Sequence, residues 1–425
     1  MQSRTTPSRP LHAPYVLNML LLSSILSFST AVRAAPQDPS ASIFSFSGFG
    51  TIGLIHSNED NADFTASIFQ PSGAGYTRAW SPDVDSRLGA QATAQLMPQL
   101  SAMLQVITEQ NPNNTFTPHV EWANISYQPM PELTLRAGRI VLPTFLLSDT
   151  RKVGFANPWV RPPVELYGLS PIFNSDGADA SYKMHVGEVT DTLVSTYGKT
   201  DFEPPQGGTF NVKHLWVIAD TIEYGALTVH MGYQTSSYSY TLLDSLFGAF
   251  RQFGPQGTAL ADQYDFENKR AQFITVGALY DVPRWFVTGE WAKRNLHSAS
   301  VESTAWYLSG GYRLAKFTPY LTFAEAKADG NTYSPGLNIS TLPPYLQGPA
   351  SGLNAALNAV LLSVPVQNTI SVGSRWDMMK NLDLKLQYDH IDLGAGSAGT
   401  LVNVQPGFQP GGTVNLWCIT IDFVW

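Results

Sequence analysis

Trp417-Cys418-Ile419-Thr420-Ile421-Asp422-Phe423-Val424-Trp425 places large apolar side chains at every odd position and Cys418, Thr420 and Asp422 at the first three even ones. A period of two is the signature of a β-strand with one face in an apolar medium and the other among polar groups. The same alternation stands just upstream, where Leu382, Leu384, Leu386 and Tyr388 oppose Asp383, Lys385, Gln387 and Asp389. It recurs in Arg87 to Leu96, in Ala178 to Val186, and in Leu227, Val229, Met231 and Tyr233 against Thr228, His230, Gly232 and Gln234.

Working outward, sixteen such runs are predicted, near 43–56, 83–97, 100–110, 119–128, 133–140, 177–187, 190–199, 210–220, 225–236, 269–280, 285–295, 303–314, 317–327, 366–378, 382–392 and 412–425. An even number of segments near ten residues long suits tilted strands that cross a bilayer. The connections sort by parity. Met97-Pro98-Gln99, Pro129-Met130-Pro131-Glu132, Asp281-Val282-Pro283-Arg284, Ala315-Lys316 and Met379-Lys380-Asn381 are tight turns. The alternate connections run about 57–82, 111–118, 141–176, 200–209, 237–268, 296–302, 328–365 and 393–411 and are mostly long. The most helix-like later stretch, Leu353 to Val366, is interrupted by Asn354, Asn358, Ser363 and Pro365 and reads as loop. A transmembrane antiparallel β-barrel has short turns at its periplasmic end and long loops outside. A soluble sandwich has no reason to segregate them. Trp285, Trp291, Trp306, Tyr312, Trp376, Tyr388 and Trp417 suit interfacial girdles, where a ring sits half wet.

The first residues read as an address. Arg4 and Arg9 precede an uncharged, mostly apolar run from Val16 to Phe28, and Val32-Arg33-Ala34 offers a cleavage site before Ala35. Residues 1–34 are therefore expected to be a secretory signal peptide and 35–425 a single barrel. Losing Arg4, Arg9 and Arg33 takes the basic count from 25 to 22 against 33 acidic residues, a net of −11, which disfavours nucleic acid as a partner. Cys418 is the single cysteine, so no intramolecular disulfide holds the chain.

Chemical motifs are sparse. Gly48-Phe49-Gly50-Thr51-Ile52-Gly53 and Gly394-Ala395-Gly396-Ser397-Ala398-Gly399 match a dinucleotide fingerprint, but the first lies within a strand and the second in a loop that leads to another. Glycine there is read as allowing close strand packing. The mature histidines are scattered, and neither a G-x-S-x-G elbow nor an H-E-x-x-H pair occurs, so no cofactor, metal site or enzyme activity is expected. Asn58-Glu59-Asp60-Asn61-Ala62-Asp63 is read as a solvated acidic loop, with a weak Ca²⁺ site as the alternative.

In this organisation the chain resembles the sixteen-stranded trimeric porins of Gram-negative outer membranes. The alternating last strand that ends in aromatic Trp425, and the opening Phe46-Ser47-Gly48-Phe49-Gly50-Thr51, carry the likeness. The family more often ends in Phe and carries a P-E-F-G-G signature in its third loop, which is absent here. The resemblance implies a homotrimer in outer-membrane lipid, passive diffusion of small hydrophilic solutes, and a third long loop folded into the lumen. That loop is 141–176, stiffened by Pro143, Pro158, Pro162, Pro163 and Pro171. The expected constriction sets Arg87, Arg136 and Arg139 on the wall against Asp149 and Glu165 of the loop, with Arg151, Lys152 and Arg161 beside them. Such a mixture predicts a transverse field, with anion preference from the surplus of bases. The lumen is expected to be wet, so its charges should tolerate substitution. The rival readings are a substrate-selective channel, hinted at by Tyr320, Phe323 and Phe49, and an outer-membrane barrel enzyme of the phospholipase or protease type.

Overall fold

A computed structural model describes residues 42–425; the expected signal peptide, 1–34, lies outside the described residues. The barrel strands are β1 (Phe44–Ser57), β2 (Arg87–Met97), β3 (Leu100–Thr108), β4 (His119–Met130), β5 (Leu133–Val141), β6 (Asn174–Val186), β7 (Val189–Phe202) and β8 (Phe210–Tyr224). They continue as β9 (Leu227–Tyr240), β10 (Lys269–Val282), β11 (Trp285–Leu296), β12 (Ser303–Tyr312), β13 (Phe317–Ala328), β14 (Gln367–Met379), β15 (Leu382–Leu393) and β16 (Thr413–Val424). Each pairs antiparallel with its neighbour in the chain. The sheet closes where β1 meets β16, in register from Phe49↔Val424 to Ser57↔Leu416. This is the all-β, sixteen-stranded antiparallel barrel that the alternation predicted.

Glycine makes the seam close. A Cβ on Gly48 would lie 1.9 Å from the Trp425 ring and one on Gly50 2.4 Å from the Phe423 ring, so these rings lie flat across bare backbone. The Gly-rich opening strand thus serves packing, as read. At the short-turn end Gly187 (φ 62°) and Gly225 (φ 58°) take the left-handed conformation that a two-residue hairpin needs. Tyr280 and Trp285 (5.3 Å), and Phe317 and Trp376 (5.6 Å), pair their rings near that end as a girdle. Elsewhere the outward parity is exposed and apolar: Ile52, Trp216, Leu308, Leu321, Val372, Leu386 and Trp417.

Two expectations fail. The outer loops carry helices: α1 (Val164–Tyr167), α2 (Asp244–Arg251), α3 (Gly254–Tyr264) and α4 (Pro344–Leu362). Asn354 and Asn358, read as interruptions, sit one turn apart on α4 and clamp the chain beside it. Asn354 accepts from the Leu337 amide (2.8 Å) and Asn358 from the Ser334 amide (2.8 Å), while their amide groups donate back to the same two carbonyls. The lumen is also not uniformly wet. Val212, Leu215, Val217, Phe273, Phe286, Ala292, Ala305, Tyr307, Tyr320 and Ala324 lie on the inward side of β8 and β10–β13 and are buried. They join one cluster with Leu142, Phe145, Trp159 and Leu166 of the third loop and Phe247, Phe250 and Leu357 of the outer helices.

Closure should be indispensable. Deleting Ile421 to Trp425 removes pairs from both β1 and β15 and leaves unpaired amides in hydrocarbon, at several kcal/mol each. The truncated chain is expected to yield no heat-modifiable barrel on unheated SDS gels. Leu386 lies mid-strand on the exposed parity, and Leu386→Arg is expected to cost about 2–4 kcal/mol in refolding.

Candidate functional site

The third loop leaves β5 at Leu142, turns into the barrel and returns to β6. Near its start Thr144 donates to Gln234 on β9 (2.7 Å), and its carbonyl accepts from Thr275 on β10 (2.6 Å). It then crosses to β3 and β4. There Arg151 pairs with Glu121 (3.1 Å), and Lys152 with Glu109 (2.5 Å) and Glu121 (2.8 Å). The Arg151 guanidinium also lies 3.5 Å over the Phe173 ring.

The closest approach to the wall comes at Gly154, where any Cβ would fall 2.0 Å from Asp422 and 2.6 Å from Thr51. Lys385 donates to the Gly154 carbonyl (2.6 Å), and Arg375 to the carbonyls of Phe155 (2.6 Å) and Asn157 (3.2 Å). Trp159 then donates to Ser309 on β12 (2.8 Å). Arg161 forks onto Asp85 (2.8 and 2.6 Å), reaches Asp389 (3.4 Å) and covers Cys418. A cavity of about 30 Å³ lies between this stretch and β13–β15, with room for about one water. On the way out, Glu165 accepts from Gln367 (2.6 Å) and Thr369, and Tyr167 reaches Glu290 on β11. Burial without a cation holds the Glu165 carboxyl above the ordinary carboxylate range.

The predicted constriction residues therefore part company. Arg151, Lys152, Arg161 and Glu165 are anchors of the loop, each consumed by a wall partner. Arg87 lies 4.0 Å from Glu109, in the anchor at β3 and β4. Arg136 points inward as expected, but its partner is Asp179 on the next strand (2.6 Å), not a loop acid. Arg139 is misassigned. Leu135 and Ala137 are exposed, Ile140 is buried, and Arg139 shares the outward parity, where it pairs with half-exposed Asp176 (2.8 Å). Asp149 is the one loop carboxylate left exposed, within electrostatic reach of Arg136 and Asp179. Gln91, Thr93, Ser126, Arg136, Ser181, Lys183 and Thr192 on the β2–β7 wall stay half-buried, whereas inward residues of β15 and β16 are buried. The loop thus packs most closely on β8–β16 and touches the other side through Glu109 and Glu121, where inward side chains such as Arg136, Ser181 and Thr192 are only half-buried.

Sequence reasoning missed the wall acids Asp85, Glu109, Glu121 and Asp389, and Glu290. Asp389 and Glu290 carry a legible mark, acids on the inward parity, but nothing local says which loop base they meet. The oxygen cluster of the first loop needs no ion to satisfy Asp63, which accepts from the Thr77 amide (2.7 Å) and Asn403 (2.7 Å). Among the described residues no group of three metal-ligating side chains converges.

No protein-family model matches the chain, and no curated relative does either. Solved structures do. OmpF of Salmonella typhi, in complex with daunomycin, aligns over 90% of this chain and 97% of its own at 12% identity and a TM-score of 0.54. The fold is that of the outer-membrane porins. The outer membrane channel DcaP of Acinetobacter baumannii aligns over 92% and 100% at 11% identity and a TM-score of 0.53. A loop-deletion form of OmpT, an outer membrane protein of Vibrio cholerae, gives 90% and 100% at 10% identity and 0.51.

The anchors make a prediction opposite to that of a wet lumen. Lys385 is fully buried between Asp422 (2.9 Å) and Asp383 (3.8 Å). Breaking a buried pair strands the remaining charge, so Lys385→Leu is expected to cost about 3–5 kcal/mol, read from urea refolding midpoints in detergent. An unchanged midpoint would return this wall to solvent.

Proposed function

We propose that the chain is a passive channel of the Gram-negative outer membrane and not an enzyme, a homotrimer through which small hydrophilic solutes or ions diffuse along the β2–β7 wall. The observation that carries this is the closed barrel, apolar outside, with one loop fixed across part of its lumen and half-buried polar side chains opposite. Exposed Phe44, Phe46, Ile52, Leu54 and Trp417 on the first and last strands offer the apolar surface for trimer contact. Against the enzyme reading, histidine hydrogen bonds among the described residues go to backbone, Thr190, Tyr197, Thr221 and Asn415, and none to a serine or cysteine.

Ion pairing changes the expected selectivity. The loop's three bases are neutralised by Asp85, Asp389, Glu109 and Glu121, and Arg136 by Asp179. Of the expected constriction charges that leaves the Asp149 carboxylate, with Lys183 farther along the same wall, and this reading favours cations at Asp149 over the anions that a surplus of loop bases suggested. Crowding by protein holds the Asp149 carboxyl above the ordinary carboxylate range. As pH falls, its charge is therefore lost before that of an aspartate with the ordinary value.

The substrate-selective reading keeps one support. Phe202, Phe210 and Tyr240 stack across β7–β9 at the outer end (5.0 and 4.3 Å), and buried Tyr238 lies 6.3 Å from Phe210. The three residues first suspected contribute nothing to such a track. Tyr320 and Phe49 are buried in the wall, and exposed Phe323 faces outward beside Trp306 (5.3 Å).

Planar-bilayer recording under a salt gradient tests the reading. The parent protein is expected to show steady conductance with a cation-side reversal potential that declines on acidification. Asp149→Asn is expected to abolish most of that preference at neutral pH without altering the fold, since a unit charge at about 4 Å and effective dielectric of about 20 is worth about 4 kcal/mol. Shortening 145–165 should raise single-channel conductance separately. A reversal potential indifferent to both Asp149 and pH would remove it from the passage.

A further inference from the structure

Glu290 stands mid-strand on β11 with its side chain inside the barrel, 3% exposed. Its carboxylate receives three donors and no base. The Leu146 amide donates to one oxygen (2.8 Å), and the hydroxyls of Tyr167 and Tyr307 (2.8 Å) donate to the other. Among the described residues no lysine, arginine or histidine lies within ion-pair distance of it. Leu146 belongs to the arm of the third loop that turns inward and Tyr167 to the arm that returns. One wall carboxylate therefore gathers both feet of an excursion that visits β3, β4, β12 and β14–β16 in between. Phe145 packs its ring 5.0 Å from that of Tyr167 beside the clamp. A carboxylate is suited to this because it only accepts, and here all three neighbours donate to it, the Tyr167 hydroxyl while itself accepting from the Leu147 amide (3.3 Å).

We infer that Glu290 is the positioning residue that pins both feet of the third loop and thereby sets the width of the channel proposed above. Thr144 and the Leu169 carbonyl are held by β9, β10 and Arg294, and the Leu147 amide donates directly to the Tyr167 hydroxyl (3.3 Å). Glu290 is the wall group that both arms share, so without it that pair of arms loses its common hold on β11 and this stretch of the loop moves off the wall. Tyr307 comes from the neighbouring strand, not from the loop, and separates two roles. If Glu290 merely stiffened the wall, losing Tyr307 would matter as much as losing Tyr167.

The chain carries its own reporter. Cys418 is 4% exposed and lies behind Arg161 of the same loop (3.3 Å). A membrane-impermeant maleimide applied to folded protein in detergent micelles reads loop release without requiring any conduction. The parent is expected to label slowly. Glu290→Ala and Tyr167→Phe should accelerate labelling about fivefold or more, the low-end effect of one unsatisfied buried partner. Tyr307→Phe should not, and Glu290→Gln, whose oxygen still accepts and whose amide can donate to a tyrosine oxygen, should stay near the parent. Unheated gels establish that each barrel is folded; should Glu290→Ala fail to fold, Tyr167→Phe and Tyr307→Phe carry the comparison. Equal rates for those two tyrosine variants would overturn the inference. Fast labelling of the parent would instead overturn the packed loop. Released loops with no rise in bilayer conductance would leave the clamp standing and refute the channel reading.

Discussion

Every peptide group in the spanning region must find its hydrogen-bond partner within the protein, because hydrocarbon offers none. Sixteen strands meet that demand only if the first is bonded to the last, so the β1–β16 seam is the contact on which the rest depends. The seam explains features that look unrelated in the chain. Gly48 and Gly50 are bare so that Trp425 and Phe423 can cross them. The two-residue turns take positive φ where strand twist requires it, and an exposed apolar face runs around the outside of the barrel.

Inside, a second constraint takes over. A loop that descends into a barrel loses the water that its charges and amides held, and each group has to be given a substitute. The wall and the adjoining loop supply most of them: carboxylates for Arg151, Lys152 and Arg161, lysine and arginine for the carbonyls of Gly154, Phe155 and Asn157, and a hydroxyl and an amide for Glu165. These pairs are better understood as the condition for burying a loop than as sources of stability, since desolvation offsets most of their attraction. The apolar wall of β10–β13 and the helices of the outer loops provide the packing that favours the buried state.

The fold was legible because period-two alternation is local and survives without knowledge of neighbours. Strand ends agree with the reading to within a few residues. Partner choice was not legible. Arg136 meets Asp179, 43 residues away, and Arg161 meets Asp85 and Asp389, 76 and 228 residues away, distances that no local pattern encodes. Arg139 stands at the edge of the loop but keeps the outward parity of exposed Leu135 and Ala137, and alternation outweighs proximity. One legible mark is a continuous apolar run: Leu215 to Ala219 is apolar on both parities, the pattern of a segment covered on both faces.

A hollow tube and a rod of the same outline answer lateral pressure differently. An empty sixteen-stranded ring can ovalise by bending at its turns, since nothing inside opposes the change. Here a close-packed wedge of loop, aromatic rings and helices braces β8 and β10–β13 from within, and protein interiors compress very little. The barrel is therefore stiffest across β8 and β10–β13 and most compliant toward β5–β7, away from the loop's anchors at Glu109 and Glu121. Bilayer tension would be felt first on that side.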